Sequence, residues 1–198
     1  MKNKLKKIKL RKIDTIILIL TFISFILGIL YLAILSKSNK ELIASTLNSF
    51  FTGIKTKDFN YNQALFSSLL NNLTITTVIW LLGISIIGIP VVITILTSKS
   101  FILGFSISSI IYNYGFKGII LTIIYIIPHI LNLFLIIILT YYSMNFSIML
   151  FNLLFRKKEY SKRIIVNRYI KILVVSIIFF IFSSILEVFI IPRILILV

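Results

Sequence analysis

Apolar residues in this chain fall in long unbroken runs, not in the alternating or one-faced pattern that lines a soluble core. The first run is Ile16 to Leu35 and the second about Leu73 to Leu96. A short third is Ser100 to Asn113, and a fourth, Ile119 to about Tyr142, is prolonged by Met144 to Phe155. The last is Ile172 to Val198. A helix packed on protein needs one apolar stripe, whereas a helix in lipid is apolar on every face. The runs therefore predict an all-α, polytopic integral membrane bundle of five transmembrane helices. The third run covers only about 21 Å as a helix. Alone it fits a re-entrant segment; taken through Phe116 it comes closer to spanning the ~30 Å hydrocarbon core.

The centre of the pattern is WLLGISIIGIPVVITILTSKSFILGF, Trp80 to Phe105. It reads as a transmembrane hairpin whose tip is Lys99. Gly83, Gly88 and Pro90 are tolerated in such helices because neighbours satisfy the freed backbone groups. Trp80, the single tryptophan, suits a membrane interface. Gly104 and Ser108 form a small-xxx-small pair that lets another helix approach.

Polar stretches supply the connections. Residues 1–13 form a basic tail, and Asp14 is placed to cap the first helix. The first apolar run exceeds the ~7–15 residues of a signal-peptide core, so it reads as an uncleaved span. Residues 36–68 form an outer loop in which Ser38 and Glu41 match a capping box. There Ile43, Leu47, Phe50, Phe51 and Ile54 recur on one helical face. An amphipathic helix on the membrane surface or against the bundle is expected, with a partner-binding helix as the sharper alternative. Lys55, Lys57 and Asp58 read as solvated charges. Gly115, Lys117 and Gly118 make a turn, and residues 156–171 form a second basic loop.

Charge then orients the bundle. The net charge is +16, but the basic residues sit at the ends of apolar runs, which points to topology and not to nucleic acid. With five crossings, fifteen basic residues share the side of the N-terminus, the Lys99 turn and the 156–171 loop, and six lie opposite. The positive-inside rule makes the first side cytoplasmic, so the N-terminus is in and the C-terminus out. The whole chain, 1–198, reads as one membrane domain in the cell membrane.

Catalytic chemistry finds few residues to use. The chain has no cysteine and one histidine, so thiolate sites and an HExxH ligand set are excluded. Its only aspartates are Asp14 and Asp58, placed at the interface and in the outer loop, which removes an intramembrane aspartyl dyad. No phosphate-binding glycine loop occurs. No enzyme activity, metal or other cofactor is expected. The polar groups inside spans are Pro128 with His129 and Asn132, the latter two on one helix face, and Glu187, about 9 Å along the helix from Arg193. Their expected task is to hydrogen-bond across helices and fix the bundle or a homo-oligomer. The alternative is a transport protein or permease-like subunit that uses Glu187 and His129 along a polar path.

Trp80, Gly83, Gly88 and Pro90, followed by Lys99 and Gly104-Phe105, closely resemble the central signature of the stage II sporulation protein M family. The resemblance extends to the mid-span proline motif and to Glu187-Val-Phe189-Ile-Ile-Pro192, and so covers essentially the whole chain. Where the family commonly shows Pro-Gln-Asn, this chain has Pro128-His129-Ile-Leu-Asn132. The resemblance implies a non-catalytic membrane scaffold for engulfment at the sporulation septum. The partners it implies are two peptidoglycan-degrading enzymes, the amidase/endopeptidase stage II sporulation protein P and the lytic transglycosylase protein D.

Overall fold

The computed structural model describes residues 2–55, 60–155 and 162–196, all but a few of them helical. Lys57, Asp58 and the 156–161 part of the second basic loop lie outside the described residues, as do the side chains of the basic tail. The elements in order are α1 (Lys2–Ile34), α2 (Lys37–Lys55), α3 (Tyr61–Leu82), α4 (Gly88–Phe155) and α5 (Lys162–Ile185). A π-helical turn (Leu186–Ile190) and α6 (Ile191–Ile196) close the chain. Among the described residues four helices, within α1, α3, α4 and α5 to α6, are long and apolar enough to cross a membrane. The protein is an all-α, polytopic membrane bundle.

α4 is one helix only in name. At about 1.5 Å per residue its 68 residues would extend roughly 100 Å, far beyond a bilayer. Gly115 breaks it with φ 56° and ψ −129°, a conformation glycine reaches without a Cβ clash. The chain then folds back, and the arms come so close at Gly118 that a Cβ there would press against the backbone of Ile110 and Ile111. Two antiparallel arms result, residues 88–114 and 116–155. The expected turn near residues 115–118 is centred on this glycine.

The hairpin of the central signature turns elsewhere than at Lys99. α3 ends at Leu82, and two consecutive tight turns through Ile84, Ser85, Ile86 and Ile87 reverse the chain before α4 begins at Gly88. The Ser85 hydroxyl accepts from the Ile87 N–H at 3.3 Å. Gly88 lies directly over the Leu82 carbonyl, where any Cβ would overlap it. Pro90 sits in the first turn of α4, where a missing N–H costs nothing. The second span is therefore 61–82, not Leu73 to Leu96, and Lys99 is carried about two-fifths of the way along the first arm of α4. The turn escaped notice because its tip is apolar: Ile87 is 85% exposed.

Smaller corrections follow the same logic. α1 runs from Lys2, so Asp14 is a helix-interior residue and not its cap. α2 is capped by Ser36, whose side chain and carbonyl accept from the Asn39 and Lys40 N–H groups, and not by Ser38. α3 is capped by Asn60, whose Oδ1 accepts from the Gln63 N–H at 3.1 Å. α2 lays Leu47, Phe51 and buried Ile54 against Ile110, Leu121 and Ile191.

α1 packs most extensively on α4, through small residues. A Cβ on Gly28 would overlap the Phe101 carbonyl, and one on Gly104 the Phe25 carbonyl. Fully buried Ser100 donates to the Thr21 carbonyl at 2.6 Å between them. Gly104 thus pairs with Ser100 and Gly28; the Ser108 hydroxyl instead bonds its own helix at Phe105. A second seam gathers at the other end of α3. Trp80 stacks on Tyr169 (5.5 Å, 14°), and so does Phe146 (4.0 Å, 7°). The Tyr169 hydroxyl donates to the Trp80 carbonyl at 2.7 Å, and Ser143 donates to the Ile79 carbonyl at 3.0 Å. Gly83 leaves room for both hydroxyls. The half-buried Trp80 ring is thus a packing element between helices.

Candidate functional site: an intramembrane polar cavity

Four spanning segments converge on one cluster of polar side chains. The C-terminal span brings Glu187, and Pro192 explains how. Proline has no N–H for the Val188 carbonyl, so the helix cannot keep its regular register there. The chain widens into the π-helical turn Leu186–Ile190, in which the Ile191 N–H bonds the Leu186 carbonyl. Such turns rotate the residues they carry out of the helical sequence. Glu187 meets α3 and the second arm of α4.

Its Oε2 accepts from the Ser68 hydroxyl at 2.8 Å. The Ser68 and Ser184 hydroxyls lie 3.1 Å apart, and Asn72 Nδ2 donates to Ser184 at 3.0 Å. Ser68 has a single proton and gives it to the carboxylate, so the Ser68–Ser184 bond runs from Ser184. The relay Asn72, Ser184, Ser68 therefore points its donors one way, toward Glu187, and each bond polarises the next.

The other oxygen, Oε1, lies 3.8 Å from His129 Nε2. His129 Nδ1 is 3.1 Å from the Tyr125 carbonyl, and its ring stacks on Tyr125 with centroids 4.1 Å apart. A carbonyl only accepts, so Nδ1 carries the proton. In a neutral imidazole Nε2 would then face the carboxylate with a lone pair. The contact becomes attractive when one proton lies on Nε2 or on Oε1.

Pro128 helps to build it. Mid-helix, it removes an N–H and leaves carbonyls free, and the Ser183 hydroxyl donates to the Pro128 carbonyl at 3.2 Å. Ser183 and Ser184 are fully buried and lie on the same helical side as Glu187.

A cavity of about 880 Å³ opens beside this cluster. Lys99, His129, Asn132, Glu187, Ser68 and Asn72 face it, and apolar residues of α2 and of the first arm of α4 close its other walls. Lys99 is not within 4 Å of a carboxylate among the described residues. The geometry therefore joins Glu187 to His129 and not to Arg193, which is exposed on α6. His129 and Asn132 share the cavity wall as their spacing predicts. Trp80, Gly83, Gly88, Pro90 and Gly104 lie outside it, in the two seams and the turn.

Lys99, Ser68, Asn72 and Ser184 are the members that sequence reasoning missed. Their signal is present: Ser68 and Asn72 are an i, i+4 pair, and Ser183 and Ser184 precede Glu187 by one helical turn in an apolar run. Among the described residues no group of three or more His, Cys, Asp or Glu is arranged to hold a metal ion.

Comparison with known proteins adds one finding. The family model described as Stage II sporulation protein M matches residues 17–192, nearly the whole chain and all of both seams and the polar cluster. No curated protein and no solved structure matches.

Proposed function

Because the chain belongs to the stage II sporulation protein M family, we propose that it is a non-catalytic membrane platform of spore engulfment that holds peptidoglycan-degrading enzymes at the division septum. The family match across residues 17–192 carries this reading. Its partners are the amidase/endopeptidase stage II sporulation protein P and the lytic transglycosylase protein D. The polar relay supports a structural part for Glu187, since it ends on the carboxylate and ties α3 to the C-terminal span.

The chain crosses the membrane five times, with the N-terminus inside and the C-terminus outside. The fold-back at Gly115 supports two crossings for α4, whose first arm at about 40 Å and second at about 60 Å each exceed the hydrocarbon core. With Lys99 inside the bundle, fourteen basic residues lie on the N-terminal side and six opposite, so the positive-inside argument holds without it. Reporter fusions after Tyr61 and at the C-terminus then read outside, and one at Lys158 reads inside; an internal C-terminus refutes the arrangement.

A second reading, a transport protein or permease-like subunit, is favoured by one observation. Lys99 joins His129 and Glu187 at membrane depth, and ionisable groups there often mark a pathway. Affinity purification of the full chain from sporulating cells separates the two. The platform brings down the two wall hydrolases, whereas a transport subunit brings down an ATPase and no hydrolase.

A further inference from the structure

We infer that the exposed side of α3 is a homodimer interface, on which a second copy of this chain docks within the membrane. The inference does not rest on the platform role.

Depth comes first. Ser67, Asn71, Thr74 and Thr77 are exposed and follow one another at spacings of four, three and three residues, so they share one side of α3. At about 1.5 Å per residue all four lie within about 9 Å of the midpoint of the 61–82 span. That is well inside a hydrocarbon core ~30 Å thick. Phe66, Leu70 and Leu81 beside them are exposed as well, so no other described element covers this side. Ser67 and Asn71 stand at the rim of the polar cavity, and Thr74 and Thr77 lie beyond it.

Unmade hydrogen bonds come second. The inward side of α3 is satisfied: Ser68 bonds Glu187, Asn72 bonds Ser184, and the Thr76 hydroxyl donates to the Asn72 carbonyl at 2.8 Å. Polar side chains in other spans bond their own helix, as Thr94 does at the Pro90 carbonyl (3.0 Å) and Asn145 at the Tyr141 carbonyl (2.9 Å). Among the described residues, the side chains of Ser67, Asn71, Thr74 and Thr77 have no hydrogen-bond partner. Lipid offers none, and a polar group left bare at this depth is costly. A helix that brings its own donors and acceptors removes that cost.

Charge comes third and selects the occupant. Two copies of one chain share a topology, so the twofold axis that relates them lies along the membrane normal. α3 then runs parallel to its counterpart, and each residue near the axis meets itself at its own depth. A charged side chain there would meet its like. An amide or a hydroxyl carries both a donor and an acceptor and pairs with its own kind. α3 has no Lys, Arg, Asp or Glu, and the polar groups on its open side are all of the self-pairing types. Asn71, nearest the midpoint, is placed to exchange amide hydrogen bonds with its own counterpart.

The test uses the full chain in phosphatidylcholine vesicles, tagged at the C-terminus with donor or acceptor dyes and diluted with lipid while energy transfer is read. The wild type is a dimer that dissociates on dilution. Asn71→Leu weakens the dimer at least about tenfold, the loss of one or two interhelical hydrogen bonds. Thr74→Val weakens it by a smaller factor, and Asn71→Gln, which keeps the amide, stays closer to the wild type. Gel filtration shows each variant folded, as expected for a side chain with no bond inside its own chain. The protein has no cysteine, so Leu70→Cys, beside Asn71, reports contact by oxidative cross-linking in the membrane. Phe182→Cys, on the exposed side of α5, is the control and does not cross-link. If Asn71→Leu fails to fold, the cross-linking pair and the dilution of the wild type still decide. A wild type that is monomeric at every dilution overturns the inference. So does an unweakened dimer in folded Asn71→Leu, or cross-linking no greater at Leu70→Cys than at Phe182→Cys. In native membranes, a Leu70→Cys adduct with a different protein in place of the self-adduct assigns this side to that partner and overturns the second copy.

Discussion

Two faces of the first arm of α4 begin one residue apart and are built from opposite chemistry. Ser100 and Gly104 turn toward α1, where backbones touch and no side chain longer than serine fits. Lys99 and Ser106 turn the other way and line a cavity with charged and hydrogen-bonding groups. Lipid gives neither face a hydrophobic drive to associate, so helices are held by close packing and hydrogen bonds. The first face uses close packing, which fixes distance and leaves no space. The second uses hydrogen bonds over a looser arrangement, and space remains. A rigid seam against α1 thus holds one wall of a cavity whose opposite walls come from α3 and the C-terminal span.

The sharpest way to break this contrast is to thicken the seam. Gly104→Leu drives a side chain into the Phe25 backbone, at or beyond the ~1–3 kcal/mol typical of overpacking. The variant is expected to be lost from membranes, read by immunoblot of membrane fractions. Normal abundance would remove the α1–α4 seam from the centre of the fold. Gly88→Leu acts at the turn by the same overlap, with Leu82, and is expected to lower abundance similarly.

The cavity face should yield less easily. Glu187→Leu strips the acceptor from Ser68 and the partner from His129. Each buried polar group left unpaired costs about 1–3 kcal/mol, so thermal unfolding in detergent should shift down by several degrees while some protein survives. An unshifted transition would show that the relay does not hold the helices.

The smallest effect tests the hydrogen bond that Ser100 makes across the seam. Ser100→Ala removes the bond to the Thr21 carbonyl but keeps the small volume. Interhelical bonds of this kind average about 0.6 kcal/mol in membranes, so the unfolding transition should move barely beyond error. A large shift would mean that hydrogen bonding, and not close approach, dominates this seam as well.

How much of this is legible in the sequence follows from what each feature is made of. The helical membrane class is written in the apolar runs, and the turn at Gly115 in its glycines. The α3–α4 turn is hidden, because Ile84, Ile86 and Ile87 continue the apolar pattern across a reversal that Gly83, Ser85 and Gly88 alone permit. That concealed turn displaced Lys99 from a loop tip to membrane depth. His129, Asn132 and Glu187 stand out as polar residues in apolar runs. Their partners did not, since Ser68 and Ser184 are ordinary residue types and only the fold brings them within 3.1 Å. The π turn that carries Glu187 toward them was not legible either, although Pro192 beside it is its signal.

The measurement that tests the platform account most directly compares Glu187→Gln with the wild type for hydrolase co-purification and spore yield. Glutamine keeps an acceptor for Ser68 without the titrating group. A structural Glu187 in a platform predicts that the Gln variant stays in the membrane, still brings down both wall hydrolases and sporulates near the wild-type level. A Gln variant equally abundant and still bound to its hydrolases, yet unable to sporulate, would contradict it and put proton or ion transport in its place.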